Sequence, residues 1–327
     1  MKYRVLLYTS LLALCLIVGL KIRQQSANSN LPLVAIANYG PHASLNATIE
    51  GIQQQLAKQG FIEQQTVRYA ISDVGFDAAL IPQMVKQLQQ LKPTVMVLLT
   101  TPVAQFAKGA IRQIPLVYSA ITDPVAAGLL TQADQPTANL TGCSERQDLQ
   151  RLLTFAQQLL PHAKRLGLLY ATAESNDQAL RQMLRKAAEQ QGLSLLALPI
   201  NQAREVPLQL TQFQGKVDFI YVGSSGPIQP SLPTIAREAK KMGIPVFNVD
   251  ASAVRQGEVL ASFGVDYQKI GRKTGELITA ILRGALPNQL PPCYPTAEDH
   301  QAVLSRRQAM AFHIPLPATQ PQLMVVE

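Results

Sequence analysis

Short apolar runs rich in β-branched residues alternate along most of the chain with longer stretches of helical periodicity. The runs at 33–38, 66–71, 94–99, 116–119, 166–170, 193–198, 217–222, 246–249 and 259–263 read as strands. Between them, 45–59, 78–91, 149–160, 175–191, 231–242 and 267–282 carry apolar positions at helical spacing. Strands that are apolar throughout, separated by helices, predict α/β architecture with parallel sheets covered on both faces.

The alternation also repeats. Val95-Met96-Val97-Leu98-Leu99-Thr100-Thr101-Pro102 is a strand running into hydroxyl residues and a proline. Asp218-Phe219-Ile220-Tyr221-Val222-Gly223-Ser224-Ser225-Gly226-Pro227 has the same form. A helix and a second strand follow each, then an acid and a glycine: Asp123 with Gly128, and Asp250 with Gly257. This reads as two similar lobes, each a doubly wound parallel-sheet unit. A length of 327 residues is enough for two domains with separate cores.

Composition narrows the function classes. Hydrophobic residues make up 47% and charged residues 15%, which excludes a disordered chain. Three cysteines are too few for a disulfide scaffold. Neither they nor the four histidines share a spacing that would hold a metal locally, so no metal or cofactor is expected. The formal charge is +8, but Lys2, Arg4, Lys21 and Arg23 fall in a first segment that has no acid, and the rest carries only +4. Its basic residues are scattered, without the basic stripe and interleaved aromatics of a nucleic-acid surface, so no nucleic-acid partner is expected.

That first segment, residues 1–30, has Lys2 and Arg4 ahead of a long apolar run and then a polar spacer, 24–30. It reads as an export signal or membrane anchor. Ala27-Asn28-Ser29 offers small residues for cleavage, while Leu12-Ala13-Leu14-Cys15 partly matches a lipidation site with too large a residue before the cysteine. Cleaved, lipidated and retained forms stay open. Each places the bulk of the chain outside the cytoplasm, in the periplasm or on the outer face of the cytoplasmic membrane.

In open parallel sheets ligands bind beyond the carboxyl ends of the strands, and those positions are polar here. Thr101-Pro102 looks like a helix N-cap with proline behind it, and Ser224 and Ser225 precede Pro227 in a comparable place. Ser119, Thr122 and Asp123 follow one strand and Asp250 another. Helix N-termini and hydroxyls suit a carboxylate, and Asp123 or Asp250 could offset an ammonium group. Two such rims facing each other would hold a zwitterion.

The residues also carry a resemblance. Thr122-Asp123-Pro124-Val125-Ala126-Ala127-Gly128-Leu129, with Asn139-Leu140-Thr141-Gly142 downstream, is similar to the signature of the ABC-transporter substrate-binding family that includes tryptophan- and tyrosine-binding proteins. Thr101-Pro102-Val103-Ala104-Gln105 and Gly264-Val265-Asp266-Tyr267, followed by Gly271 and Gly275, resemble further blocks. The resemblance runs from about residue 33 to 326. It implies a type I periplasmic-binding-protein fold: two lobes joined by three crossovers, near 139–144, 250–253 and 290–295. Lobe 1 would then hold 31–141 and 253–290, and lobe 2 would hold 142–252 and 291–327. It implies a small-molecule ligand between the lobes, no catalytic role, and an ABC permease with its ATPase as partners.

Matched by position, Thr101 and Thr122 would contact the ligand carboxylate and Asp250 its ammonium group. Ser224 and Ser225, together with Glu174, Ser175 and Asn176, would contribute from the second lobe. The family's acidic-His-Pro block is altered to Asn38-Tyr39-Gly40-Pro41-His42-Ala43-Ser44, with Asn46 in place of an acid. Asn38, Tyr39 and Ser44 complete the candidate ligand set, with Ser119 and Asp123. His42 is left open as contact or surface residue.

The implied function is capture of an amino acid or similar zwitterion by hinge closure. A ligand-sensing module feeding a receptor is an alternative on the same fold. An exported hydrolase is the other, on the strength of Gly223-Ser224-Ser225-Gly226, but that run lacks the spacing of a nucleophile elbow. Cys143 and Cys293 fall at two of the implied crossovers, where an oxidising compartment would let them pair.

Overall fold

The computed structural model describes residues 31–317 and 323–327; the expected export segment lies outside them. Among the described residues no helix is long and apolar enough to cross a membrane.

The first lobe is built from β1 (Leu33–Asn38), α1 (Ala43–Lys58), β2 (Arg68–Asp73), α2 (Ile81–Gln90), β3 (Val95–Leu99), α3 (Thr101–Ala110), β4 (Leu116–Ile121) and β5 (Leu140–Ser144). Its sheet has the order β2-β1-β3-β4-β5 and is parallel throughout. Strands β1, β3 and β4 are buried at every position, which is why they read as continuous apolar runs.

The chain then crosses to α4 (Leu149–Leu159), β6 (Arg165–Ala171), α5 (Ser175–Gln190), β7 (Ser194–Ile200), α6 (Val206–Thr211), β8 (Phe219–Val222), α7 (Leu232–Lys241), β9 (Val246–Asn248), α8 (Ala251–Arg255) and β10 (Ala261–Val265). It returns with α9 (Tyr267–Leu282), crosses a third time, and ends in β11 (His300–Ser305), α10 (Arg306–Ala311) and β12 (Leu323–Val326). The second sheet has the order β12-β11-β10-β9-β8-β6-β7, with β11 antiparallel to β10.

Two boundaries differ from those expected. Strand β10 belongs to the second sheet, so the chain leaves that lobe at Asp266 and not near 250–253. The cause is local: Asp250 caps α8, whose Ala253 and Val254 fold back into the second lobe's own core. The first lobe in turn extends through β5 to Ser144, because β5 pairs with β4 along its length.

Helix α9 belongs to the first lobe and lies directly on α1. Asp266 starts it by accepting from the N–H groups of Gln268 and Lys269 at 2.9 and 3.0 Å. Glycines bring the two helices into contact: a Cβ on Gly271 would sit 2.1 Å from the Thr48 carbonyl oxygen, and one on Gly51 would sit 2.2 Å from that of Gln268. Neither backbone can yield without separating the helices. Gly271→Ala is therefore expected to cost about 2 kcal/mol or more of unfolding free energy, read by urea denaturation. An unchanged midpoint and slope would disprove the close packing.

The crossings carry a disulfide. Cys143, buried at the end of β5, is bonded to Cys293. The Cys293 N–H donates to Gly142 O and the Ser144 N–H donates to Cys293 O, both at 2.9 Å.

Candidate functional site: a cleft between the lobes

The carboxyl ends of both sheets face one another across a cleft. From the first lobe, the segment after β1 supplies Tyr39, His42 and Ser44, and those after β3 and β4 supply Thr100, Thr101 and Thr122. From the second, Glu174 and Asn176 follow β6, and Ser224, Ser225, Gly226 and Gln229 follow β8. Glu145, on the first crossing, and Tyr267, at the start of α9, close the hinge side.

Of the sequence-derived candidates, Tyr39, Ser44, Thr101, Thr122, Glu174, Asn176, Ser224 and Ser225 line this space; Asn38, Ser119, Asp123, Ser175 and Asp250 do not. Asn38 donates to Gly40 O and shapes its loop. Ser119 shares a hydrogen bond with Thr274 of α9 at 2.7 Å. Asp123 accepts from the N–H groups of Val125 and Ala126 and pairs with Arg146 at 2.6 Å. Ser175 is the first residue of α5. Asp250 caps α8 through Ser252 N–H, accepts from Ser44 Oγ at 2.5 Å, and faces a neighbouring groove. Thr101 is the first helical residue of α3, and its N-cap is Thr100.

Glu145 stood outside the sequence-derived set. Its carboxylate is buried and accepts from Ser224 Oγ at 2.5 Å, from Thr122 Oγ1 at 3.1 Å and from the Tyr267 hydroxyl. One carboxylate thus gathers hydroxyls from both lobes and from the second crossing. Burial pushes its pKa up to about 7, against the downward pull of the three hydroxyls.

A second group of acids lies beyond it. Glu174 accepts from the Tyr39 hydroxyl at 3.0 Å, Asn176 Nδ2 at 3.2 Å and the Gly226 N–H at 3.3 Å. Asp177 accepts from the Ala171 N–H at 2.5 Å and from Asn176 Nδ2 at 3.1 Å. Burial raises the Glu174 pKa, and burial with the charge of Glu174 raises that of Asp177 to about 7. His42, whose Nδ1 lies 3.8 Å from Asp250, is pulled the other way by burial, below the usual histidine value.

No lysine or arginine lines the cleft among the described residues. Its positive end is backbone. Helix α3 begins here with no side chain capping its first N–H groups. The backbone is held in left-handed conformations at Phe76, Thr100 and Ala120, with φ of 66°, 75° and 56°, and all three residues line the cleft. Non-glycine residues adopt this region at a cost that surrounding structure must supply, and such residues cluster at ligand clamps. The arrangement offers buried carboxylates to a cation and a helix N-terminus to an anion, with hydroxyls between.

These two lobes, their crossings and the cleft at the sheets' carboxyl ends define a type I periplasmic-binding-protein fold. The family described as ABC transporter substrate binding protein matches residues 33–318, and the chain belongs to that family. A tyrosine-binding protein of Clostridioides difficile strain R20291 is 28% identical over 258 residues, covering 79% of this chain and 74% of the relative. The structure of an ABC domain in complex with L-Trp from Streptococcus pneumonia matches with a TM-score of 0.85 at 26% identity, over 90% of this chain and 100% of that one. A ligand-free, open substrate-binding protein with adhesive properties from Clostridium difficile matches with a TM-score of 0.70, also at 26% identity, over 91% of this chain and 99% of that one. Family members are extracytoplasmic solute-binding components of ABC transporters.

Proposed function

We propose that the chain captures an amino acid between its lobes by hinge closure and delivers it to an ABC permease, held at the outer face of the cytoplasmic membrane or in the periplasm by way of residues 1–30. The observation that carries this reading is the polarity of the cleft: desolvated carboxylates with no lysine or arginine beside them, together with the open N-terminus of α3. A zwitterion satisfies both. Its ammonium group goes to Glu145, where it replaces hydroxyl donors with a charge-assisted hydrogen bond. Its carboxylate goes to Thr101 and the first N–H groups of α3.

Closure is supported by hydrogen bonds that run directly from lobe to lobe. Tyr39 reaches Glu174, and Ser44 reaches Asp250. The overall shape is also nearer to the L-Trp complex than to the open, ligand-free relative. Ligand bound in the closed form shifts the population toward it, and the permease reads that form.

The test is a thermal-shift screen of the full chain in mild detergent against the common L-amino acids, followed by calorimetric titration of each hit. At least one amino acid is expected to raise Tm, by an amount that grows with ligand concentration. A flat response to all of them would refute the assignment of ligand class.

A further inference from the structure

The side-chain amide of Asn176 is more firmly oriented than most. Its Nδ2 lies 3.2 Å from Glu174 Oε2, 3.1 Å from Asp177 Oδ1 and 3.3 Å from Ser224 O. Turning the amide over would set its oxygen against a carbonyl, which cannot donate, and against two carboxyl groups, which cannot donate when ionised. With those carboxyls ionised the oxygen points the other way. Asn176 is only 8% exposed and lines the cleft, and Oδ1 has no donor from the protein. A buried acceptor without a donor is a rare and costly feature unless something else supplies the hydrogen.

The surroundings say what kind of group that is. Tyr39, whose hydroxyl joins the same Glu174 cluster, stands edge-on to Phe76 with ring centroids 5.7 Å apart, and both rings line the cleft. Gly226 admits Tyr39 closely: a Cβ there would lie 2.3 Å from the ring. Asn176 thus shares the cleft with an aromatic pair. Ser224 connects it to the ammonium end, since its Oγ donates to Glu145 and its carbonyl accepts from Asn176. Glu145, both rings and Asn176 line one cleft.

Building on the proposed amino-acid function, we infer that Asn176 is a specificity-determining residue whose Oδ1 accepts a hydrogen bond from the edge of an aromatic ligand side chain, either a phenol O–H or an indole N–H. Asn176 thereby distinguishes rings that carry a donor from rings of the same shape that lack one. Rejection of the donorless ring follows from the acceptor it would leave buried and unpaired.

The test compares matched ligands by calorimetry on the full chain in mild detergent. One pair is L-tyrosine with L-phenylalanine. The other is L-tryptophan with β-(3-benzothienyl)-L-alanine, in which sulfur replaces the indole N–H. In at least one pair the donor-bearing member is expected to bind roughly 10- to 100-fold tighter, and the pair that discriminates identifies the donor as phenol or indole. Asn176→Ala should bring that ratio to about one. A purely structural loss would weaken both members of a pair alike and leave the ratio standing.

Near-equal affinities within both pairs for the unaltered chain overturn the inference, as does a ratio that survives Asn176→Ala. Binding of other amino acids with none of these four also overturns it, while leaving the proposed function intact. A chain that binds no amino acid at all removes both. Because the unaltered chain alone gives the first result, poor folding of the variant does not protect the inference.

Discussion

Glu145→Gln is expected to make the ligand-free protein more stable at pH 8 and at the same time nearly unable to bind its ligand. The first effect follows from burial. Desolvation holds the folded-state pKa near 7, against a reference of 4.5. Below pH 4.5 the group is protonated in both folded and unfolded chains and costs nothing. Between 4.5 and 7 the unfolded chain has lost a proton that the folded one keeps, so stability falls as pH rises. Above 7 the full penalty applies, about 3 kcal/mol at most for a shift of this size. Glutamine has no charge to desolvate; its amide oxygen can accept from the hydroxyls of Ser224 and Thr122, while its NH2 faces Tyr267, whose hydroxyl oxygen can turn to accept. Part of the decline with pH should remain in the variant, because Asp177 is raised in the same direction. The second effect is loss of the ammonium group's charged partner, with affinity falling roughly 100-fold or more. Thermal melts from pH 5 to 9 with and without ligand, for both proteins, read the two effects together. A variant that is less stable at pH 8 and binds as well as the parent would make Glu145 a structural staple and return the ammonium site to another acid.

The position of Glu145 shows where reading the chain residue by residue stops. Strands β1, β3, β4 and β8 were legible because each is buried on both faces and so almost wholly apolar. Strand β5 was not. Leu140-Thr141-Gly142-Cys143-Ser144 is small and half polar, and it is a strand through its pairing with β4 rather than through its own composition. Glu145 is the residue after it, so the rule that ligands gather past strand ends had no strand to apply to. Its partners Ser224 and Tyr267 lie 79 and 122 residues away, a distance no local spacing encodes. Asp250 shows the ambiguity from the other side. An acid after a strand suits a ligand's ammonium group and a helix N-terminus equally well, and here it caps α8. Thr101, Thr122, Ser224 and Ser225 line the cleft because loops between parallel strands and their helices converge on one edge in any doubly wound sheet.

Breaking the Cys143–Cys293 disulfide is expected to lower global stability by 2–5 kcal/mol and to leave ligand affinity almost untouched. The two cysteines are 150 residues apart in sequence, so the bond closes a loop that holds most of the second lobe and α9. Chain-entropy reasoning for a loop of that length gives about 5 kcal/mol, an upper figure that strain and residual structure reduce. The extracytoplasmic setting of the family permits the bond to form and persist. Affinity should be spared because neither cysteine lines the cleft, and the Cys293–Gly142 and Ser144–Cys293 backbone hydrogen bonds still hold the first and third crossings side by side. Cys143 is fully buried, so reductant attacks the folded protein only as fast as that region opens. The comparison therefore uses the Cys143→Ser, Cys293→Ser double variant against the oxidised parent. Urea unfolding gives the stability difference, and calorimetry with the ligand from the amino-acid screen gives the affinity. Equal unfolding midpoints would mean that the crossings are held by their hydrogen bonds and packing alone. A large loss of affinity with unchanged stability would mean that the bond sets how the lobes meet.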